Sequence, residues 1–268
     1  LKKTLRQKKT EALLDWWHEG VFFHREVSSL FLTVVGELCN KNPVSATMLG
    51  IKILQKMGTE EDANLGRAHL EEILSSIGKG DPEPHITLWV RTKLHKLEET
   101  RTLGTDRLNK LLRKKPSLKG AVFNAVLPQL SFREHFEGMH KEALQYLKGS
   151  LWSERHGVQA RHLWRVLKSQ NRSGHQLAVD LMREIFTPDQ ISIGKLIELS
   201  DHESVAVRTY VWNLLPQNKK RIRTHFSEAL RFLEVNWDDS RAFAFEFFEQ
   251  NFTEKEWTLE HLIRICDS

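Results

Sequence analysis

Two cysteines in 268 residues leave this chain little covalent chemistry. Cys39 and Cys266 stand far apart in apolar helical settings and outside any Cys-x-x-Cys, so neither a disulfide framework nor a zinc site is indicated. The expected setting is reducing and cytoplasmic. No run of 18 apolar residues occurs, so no membrane span is expected. The opening LKKTLRQKK lacks the apolar stretch of a signal peptide, and without an initiator Met a processed start is expected. Glycine and proline are modest, at 14 and 7, and no segment alternates apolar and polar residues for long, which argues against β structure. Catalytic signatures are also missing. There is no GxSxG, no HExxH, no GxxxxGK[ST] and no GxGxxG, and neither cysteine has a histidine at a recognisable spacing. No catalytic residue, cofactor or metal ligand is assigned on this basis.

What the sequence does contain is helix formers and a repeat. TPDQISIGKLIELSD (187–201) and TEKEWTLEHLIRICD (253–267) match position for position, as do LAVDLMREIF (177–186) and FAFEFFEQNF (243–252) before them. Half of the 66-residue offset between these copies lands on a third, with Leu177/Tyr210/Phe243, Ala178/Val211/Ala244, Leu181/Leu214/Phe247 and Met182/Leu215/Phe248 in register. A unit of about 33 residues built from two helices implies stacked repeats. The expected fold is all-α, an α-solenoid of antiparallel helix pairs with one continuous core.

Element positions follow from periodicity and punctuation. Helices are expected over 1–19, 25–39, 44–57 and from Thr59 to Ile77, then a GKGDPEP loop (78–84). A long helix near 84–103, a short basic helix over 105–114, and segments over 117–130 (broken at Pro128), 132–149 and 153–169 complete the first half. From 158 the pairs read as helix A near 158–169 with B at 174–186, then 192–200 with 204–216, then 225–235 with 239–252. Thr187 with Gln190 and Thr253 with Glu256 form capping boxes, and Ser192 and Thr258 cap the A helices that follow. Residues 1–157 are expected to be degenerate helical repeats and 158–268 clearer ones. The last unit has no B helix, so the chain is expected to be part of a longer protein.

The segment LIELSDHESVAVRTYVWNLL (196–215) resembles a HEAT repeat, with a leucine-rich helix A, an Asp at the turn and a Val-Arg opening helix B. The 229–248 segment is similar, and 163–182 is weaker, with Asn171 and His175 where Asp and Arg would stand. The resemblance implies a ladder of polar contacts between neighbouring units carried by Asp201, Arg208, Asp238, Asp239 and Arg241. It also implies architecture more than role, because HEAT-type repeats serve many functions.

Three basic clusters stand out: Lys2-Lys3-Arg6-Lys8-Lys9, then Lys110, Arg113, Lys114, Lys115 and Lys119, then Lys219, Lys220, Arg221 and Arg223. Aligned on one face they would meet a phosphate backbone, whereas charge runs are more often solvated surface. The net charge of +5 is small for a dedicated nucleic-acid binder. His135 and His140 are five apart and miss a common helix face, and Glu137 with His140 has no second copy to complete a di-iron set. Eight tryptophans suit packing between units, Trp237 beside Asp238 being the pair that alkylpurine DNA glycosylases of HEAT-like build bring to mind. The expected role is a non-catalytic scaffold or adaptor that binds a protein partner on an extended surface. The alternatives are a nucleic-acid-binding solenoid with Lys110, Arg113, Lys114, Lys115, Lys219, Lys220, Arg221 and Arg223 as phosphate contacts, and, below that, a base-excision enzyme.

Overall fold

The computed structural model describes residues 33, 35–58, 60–259, 261 and 263. The expected helix over 1–19, the first basic cluster, Trp16, Trp17, Thr59, Cys266 and Asp267 lie outside the described residues. Among the described residues the chain is helical throughout, with α and 3-10 segments and no strand. No helix among them is long and apolar enough to cross a membrane. The chain divides into two compact units between His162 and Leu163.

The first unit contains α1 (Pro43–Lys56), α2 (Glu60–Lys79), α3 (Ile86–Lys93), α4 (Glu98–Lys114), α5 (Lys119–Val126) and α6 (Met139–Lys148). Asn42 starts α1 by accepting the Ser45 amide at 3.1 Å, with Pro43 in the first turn where its missing N–H costs nothing. α1 packs on α2 and α3 packs on α4; in addition α1 meets α3, and α2 meets α4. Each helix therefore touches both its hairpin partner and the corresponding helix of the next pair. The interior holds Leu49, Ile53, Leu70, Ile73, Trp89 and Phe123, all essentially without exposed surface. Each such side chain contributes about 1.5–3 kcal/mol through burial.

The second unit carries helices near most of the expected positions. At the boundary lies α7 (Ala160–Leu167), followed by α8 (Arg172–Ile185), α9 (Ile193–Ser200), α10 (Val205–Leu214), α11 (Lys219–Thr224), α12 (Phe226–Ala229) and α13 (Asp238–Asn251). α8 packs on α10 and α10 on α13, so the three second helices of successive pairs touch in series. The aligned positions are the core of that series. Leu177 and Tyr210, Ala178, Val211 and Ala244, Leu181, Leu214 and Phe247, and Met182, Leu215 and Phe248 are all buried. Phe243 is half-buried and stacks on Trp212 at 5.4 Å between centroids. The capping box of Thr187 and Gln190 is present, and the Ser192 hydroxyl accepts the Lys195 amide at 3.3 Å. The Thr253 amide reaches the Glu256 carboxylate at 2.9 Å, and the Thr258 hydroxyl accepts from His261 at 3.3 Å.

The first half departs from its expected boundaries. Instead of a helix over 84–103 and another over 105–114, a 3-10 turn at Glu83–His85 leads into α3, the chain breaks at 94–97, and α4 runs unbroken through Gly104. Gly104 is not a stop. It lies where α4 crosses α3, and a methyl there would be driven into the Lys93 amide nitrogen and the Thr92 carbonyl carbon. Because the obstacle is backbone and not a movable side chain, Gly104→Ala is expected to destabilise the first unit by about 2 kcal/mol in urea unfolding. Gly66→Ala, opposed only by the flexible Met57 side chain, is the comparison and is expected to cost less.

Further boundaries move in both units. Residues 132–138 are not helical, and α6 starts only at Met139. Before it the His140 amide donates to Glu134 at 2.7 Å, the His140 ring meets the Phe132 carbonyl at 2.9 Å, and Gly138 takes φ 88°. These local bonds satisfy the helix start and displace earlier helical turns. The 117–130 segment breaks at Pro128 as expected, giving way after Val126 to a 3-10 stretch, Leu127–Ser131, whereas 153–169 is a 3-10 turn (Trp152–Gly157) followed by α7. In the second unit Lys219–Thr224, which falls between the expected 204–216 and 225–235 helices, is helical as α11, and the expected 225–235 helix is α12 plus a 3-10 turn, Leu230–Leu233.

Candidate functional site

The ladder residues show first what the polar groups are committed to. Arg208 opens α10 and is almost fully buried. Its Nη1 donates to the carbonyls of His202 and Glu203 at 2.8 and 3.0 Å, and its Nε and Nη2 donate to Asp239 at 3.2 and 2.6 Å. Trp237 covers the guanidinium face at 4.3 Å. Asp201 does not pair with Arg208. It accepts the backbone amide and the side-chain amide of Asn236 at 2.7 and 2.6 Å, and its carbonyl accepts the Trp237 indole N–H at 3.1 Å. Asp201 and Arg208 thus both reach the next turn. Asp238 and Arg241 pair with each other within α13, and Arg241 also donates to the Val235 carbonyl at 2.7 Å. Trp237 and Asp238, the pair behind the base-excision reading, are both held in these contacts.

The same lock appears in the first unit. His202 takes the Ser204 amide on Nδ1 at 2.9 Å and meets the Leu167 carbonyl through Nε2 at 2.6 Å. His95 takes the Leu97 amide at 3.2 Å and meets the Leu54 carbonyl at 2.9 Å. These partners put the proton on Nε2 in both rings. Six residues after each histidine an arginine turns back on it: Arg101 donates to the His95 and Lys96 carbonyls at 3.2 and 2.9 Å, as Arg208 does to His202 and Glu203. Arg101 is likewise stacked, on Phe136 at 4.2 Å, and ion-paired, with Glu142 at 3.7 Å. His175, standing in the arginine position of its own turn, donates across the same interval to Ser169 at 2.6 Å. The sequence signal is the pair HKLEETR (95–101) and HESVAVR (202–208), which apolar registers alone do not show.

A groove opens beside each histidine lock. In the first unit it encloses about 460 Å³, with Ile51 and Leu54 of α1 and Leu94 as its apolar floor. Arg91, Lys96 and His135 bring positive or chargeable groups to it, and Gln55 and Gln129 bring amides. Phe132 stands at its wall, 37% exposed. No carboxylate lines it. His95 is held below its ordinary pKa chiefly by burial, partly offset by its bond to the Leu54 carbonyl, with Lys96, His135 and Arg101 adding to the lowering. The second unit's groove, about 340 Å³, has Trp164, Lys168 and Lys195 but also Glu198, Asp201 and Glu203. There Lys195 bonds Glu198 at 2.5 Å, and Lys168 approaches the same carboxylate at 3.9 Å.

Comparison with family models, with curated proteins and with solved structures returns no match.

The basic clusters are placed as follows. Lys110, Arg113 and Lys114 are exposed near the end of α4, whereas Lys115 donates to the Gly80 carbonyl at 2.6 Å. Lys220 is exposed on α11 and Lys219 half-buried. Arg221 is turned inward, donating to Pro188, Ile191 and Asn218, and Arg223 is paired with Glu256. Three of the eight proposed phosphate contacts are therefore occupied by backbone or by an ion pair. Burial pushes the Cys39 thiol up to about 11, so it carries no thiolate at neutral pH. His135 and His140 do not converge, because His140 faces Phe132 and Glu134 while His135 lines the groove. Arg91, Lys96, Phe132 and Gln129 were not singled out by sequence. They come from α3, the 94–97 break and the 127–132 stretch, which line one groove together with α1.

Proposed function

We propose that this chain is an α-solenoid of HEAT-like helix pairs that binds a segment of a protein partner in the groove of its first unit. The helix-to-helix series within each unit, the contacts from Asp201 and Arg208 to the following turn, and the repeated His–Arg lock support the solenoid reading. The observation that carries the binding role is the groove between α1, the His95 turn and Phe132. Its apolar floor accepts side chains, and two glutamines at its edge offer the paired donor and acceptor that an extended backbone needs. The nucleic-acid reading has less support, since Lys115, Arg221 and Arg223 are already engaged.

Selection of a random dodecapeptide library on the purified chain tests the role. The expected result is an enriched set whose binding weakens about tenfold or more in Phe132→Asp, the loss of an apolar hot-spot contact. An enriched set indifferent to Phe132→Asp, or no enrichment at all, counts against the groove as a peptide site.

A further inference from the structure

We infer that the segment this groove takes is acidic, with carboxylates on Arg91 and Lys96 and an apolar residue between them against Ile51, Leu54 and Phe132. The inference rests on the peptide-binding reading above and adds the chemistry of the partner. Its first ground is charge balance. The groove brings Arg91, Lys96 and His135 together with no carboxylate among its lining residues. Arg91 is half-buried and has no ion pair among the described residues. A guanidinium in that position is a fork of donors with nothing planar to receive it, and a carboxylate is the group that fits.

The second ground is the contrast between two grooves built on one plan. Both lie beside a histidine that bridges back to a leucine carbonyl, Leu54 or Leu167. In the second unit the cations are answered from within, Lys195 and Lys168 by Glu198, with Asp201 and Glu203 close by. In the first unit the corresponding positions carry no acid. The residue after the lock histidine is Glu203 in one and Lys96 in the other. The first groove therefore lacks the counter-charge that the second supplies for itself, and a partner would bring it. His95 takes no part in binding, because both ring nitrogens are already engaged with backbone.

A nucleic acid is the other polyanion to weigh. It would place phosphates along a continuous line of cations. This groove has two fixed charges set around an apolar floor, which matches a short acidic and apolar peptide better.

The test uses the whole chain and the peptides enriched from the random library. The proposal expects the enriched set to be rich in Asp and Glu around an apolar residue. A fluorescein-labelled member should lose about tenfold in affinity in Arg91→Gln and again in Lys96→Gln, and should weaken with added salt. Lys195→Gln, in the other groove, should leave it unchanged. Both groove residues lie at the surface or half-buried, and far-ultraviolet circular dichroism checks that the variants fold. Enriched peptides that are neutral or basic, sensitive to Phe132→Asp but not to Arg91→Gln, would overturn the acidic assignment and leave the groove as a peptide site. Loss of sensitivity to Phe132→Asp would remove both. Displacement of the peptide by an oligo-dT of equal charge, at lower concentration than the unlabelled peptide, would also overturn the proposal.

Discussion

Replacing Arg208 with alanine should destabilise the second unit about as much as emptying a buried core position. The guanidinium is almost fully buried and makes four hydrogen bonds, two to the carbonyls that end its own turn and two to Asp239 at the start of α13. Removing it strips the His202 and Glu203 carbonyls of a donor, leaves Asp239 without its counter-charge and uncovers the face of Trp237. Breaking a buried pair from one side costs about 3–5 kcal/mol, and the 40% exposure of the Asp239 side chain places the expected loss near the lower end. Urea unfolding should show it as a lower midpoint with an unchanged slope. Arg208→Lys should not rescue, because a single ammonium cannot serve two carbonyls and a carboxylate in different directions. Asp239→Ala should cost less, and the double variant should fall well short of the sum. Additive losses would mean that the link from α10 to α13 is not the source of the effect.

The helices and their buried faces were legible where apolar register and caps agree. Leu181, Leu214 and Phe247 share a register and share burial, and Thr187 with Gln190 forms the capping box that its spacing implies. The first unit was harder for a physical reason. Gly104 has the appearance of punctuation, yet its lack of a side chain serves a helix crossing, a property of the neighbouring α3 and invisible locally. Residues 132–138 have helical composition, but Glu134 and Phe132 supply His140 with partners that a longer helix would forgo. The same limit applies to the site. Charge runs such as Lys219–Arg223 catch the eye in sequence, and the structure turns Arg221 inward. Arg91 and Lys96 attract none, because isolated cations gain meaning only from the absence of acids around them in space. The His–Arg spacing lies between these cases: readable in sequence, but only after one copy has been seen making its bonds.

Acidification should weaken both units, and the histidines set the window. His69, His85, His95 and His175 are all held below the ordinary histidine pKa, in each case chiefly by burial, and His69 falls to about 4. A depressed histidine is neutral in the folded chain and takes up a proton on unfolding near pH 6.5. The unfolded state then binds more protons, so stability rises with pH across the interval and is lost as pH falls from 6.5 toward the folded value. For His69 alone the change amounts to about 3 kcal/mol once pH reaches 4. Below that, Asp189 and Glu256 continue the trend. The Thr187 hydroxyl and the Arg223 guanidinium hold them, in turn, below the usual carboxylate range, and protonation forfeits those bonds. Melting temperature measured from pH 7.5 to 4 should therefore decline steadily below about 6.5, the unfolded histidine value. His69→Gln should start lower and decline less steeply, because the variant has already lost the neutral ring's packing and has no proton to take up. A profile that stays flat to pH 4.5 would show that these rings open to water without unfolding, and a His69→Gln profile parallel to the parent's would assign the loss to the other three.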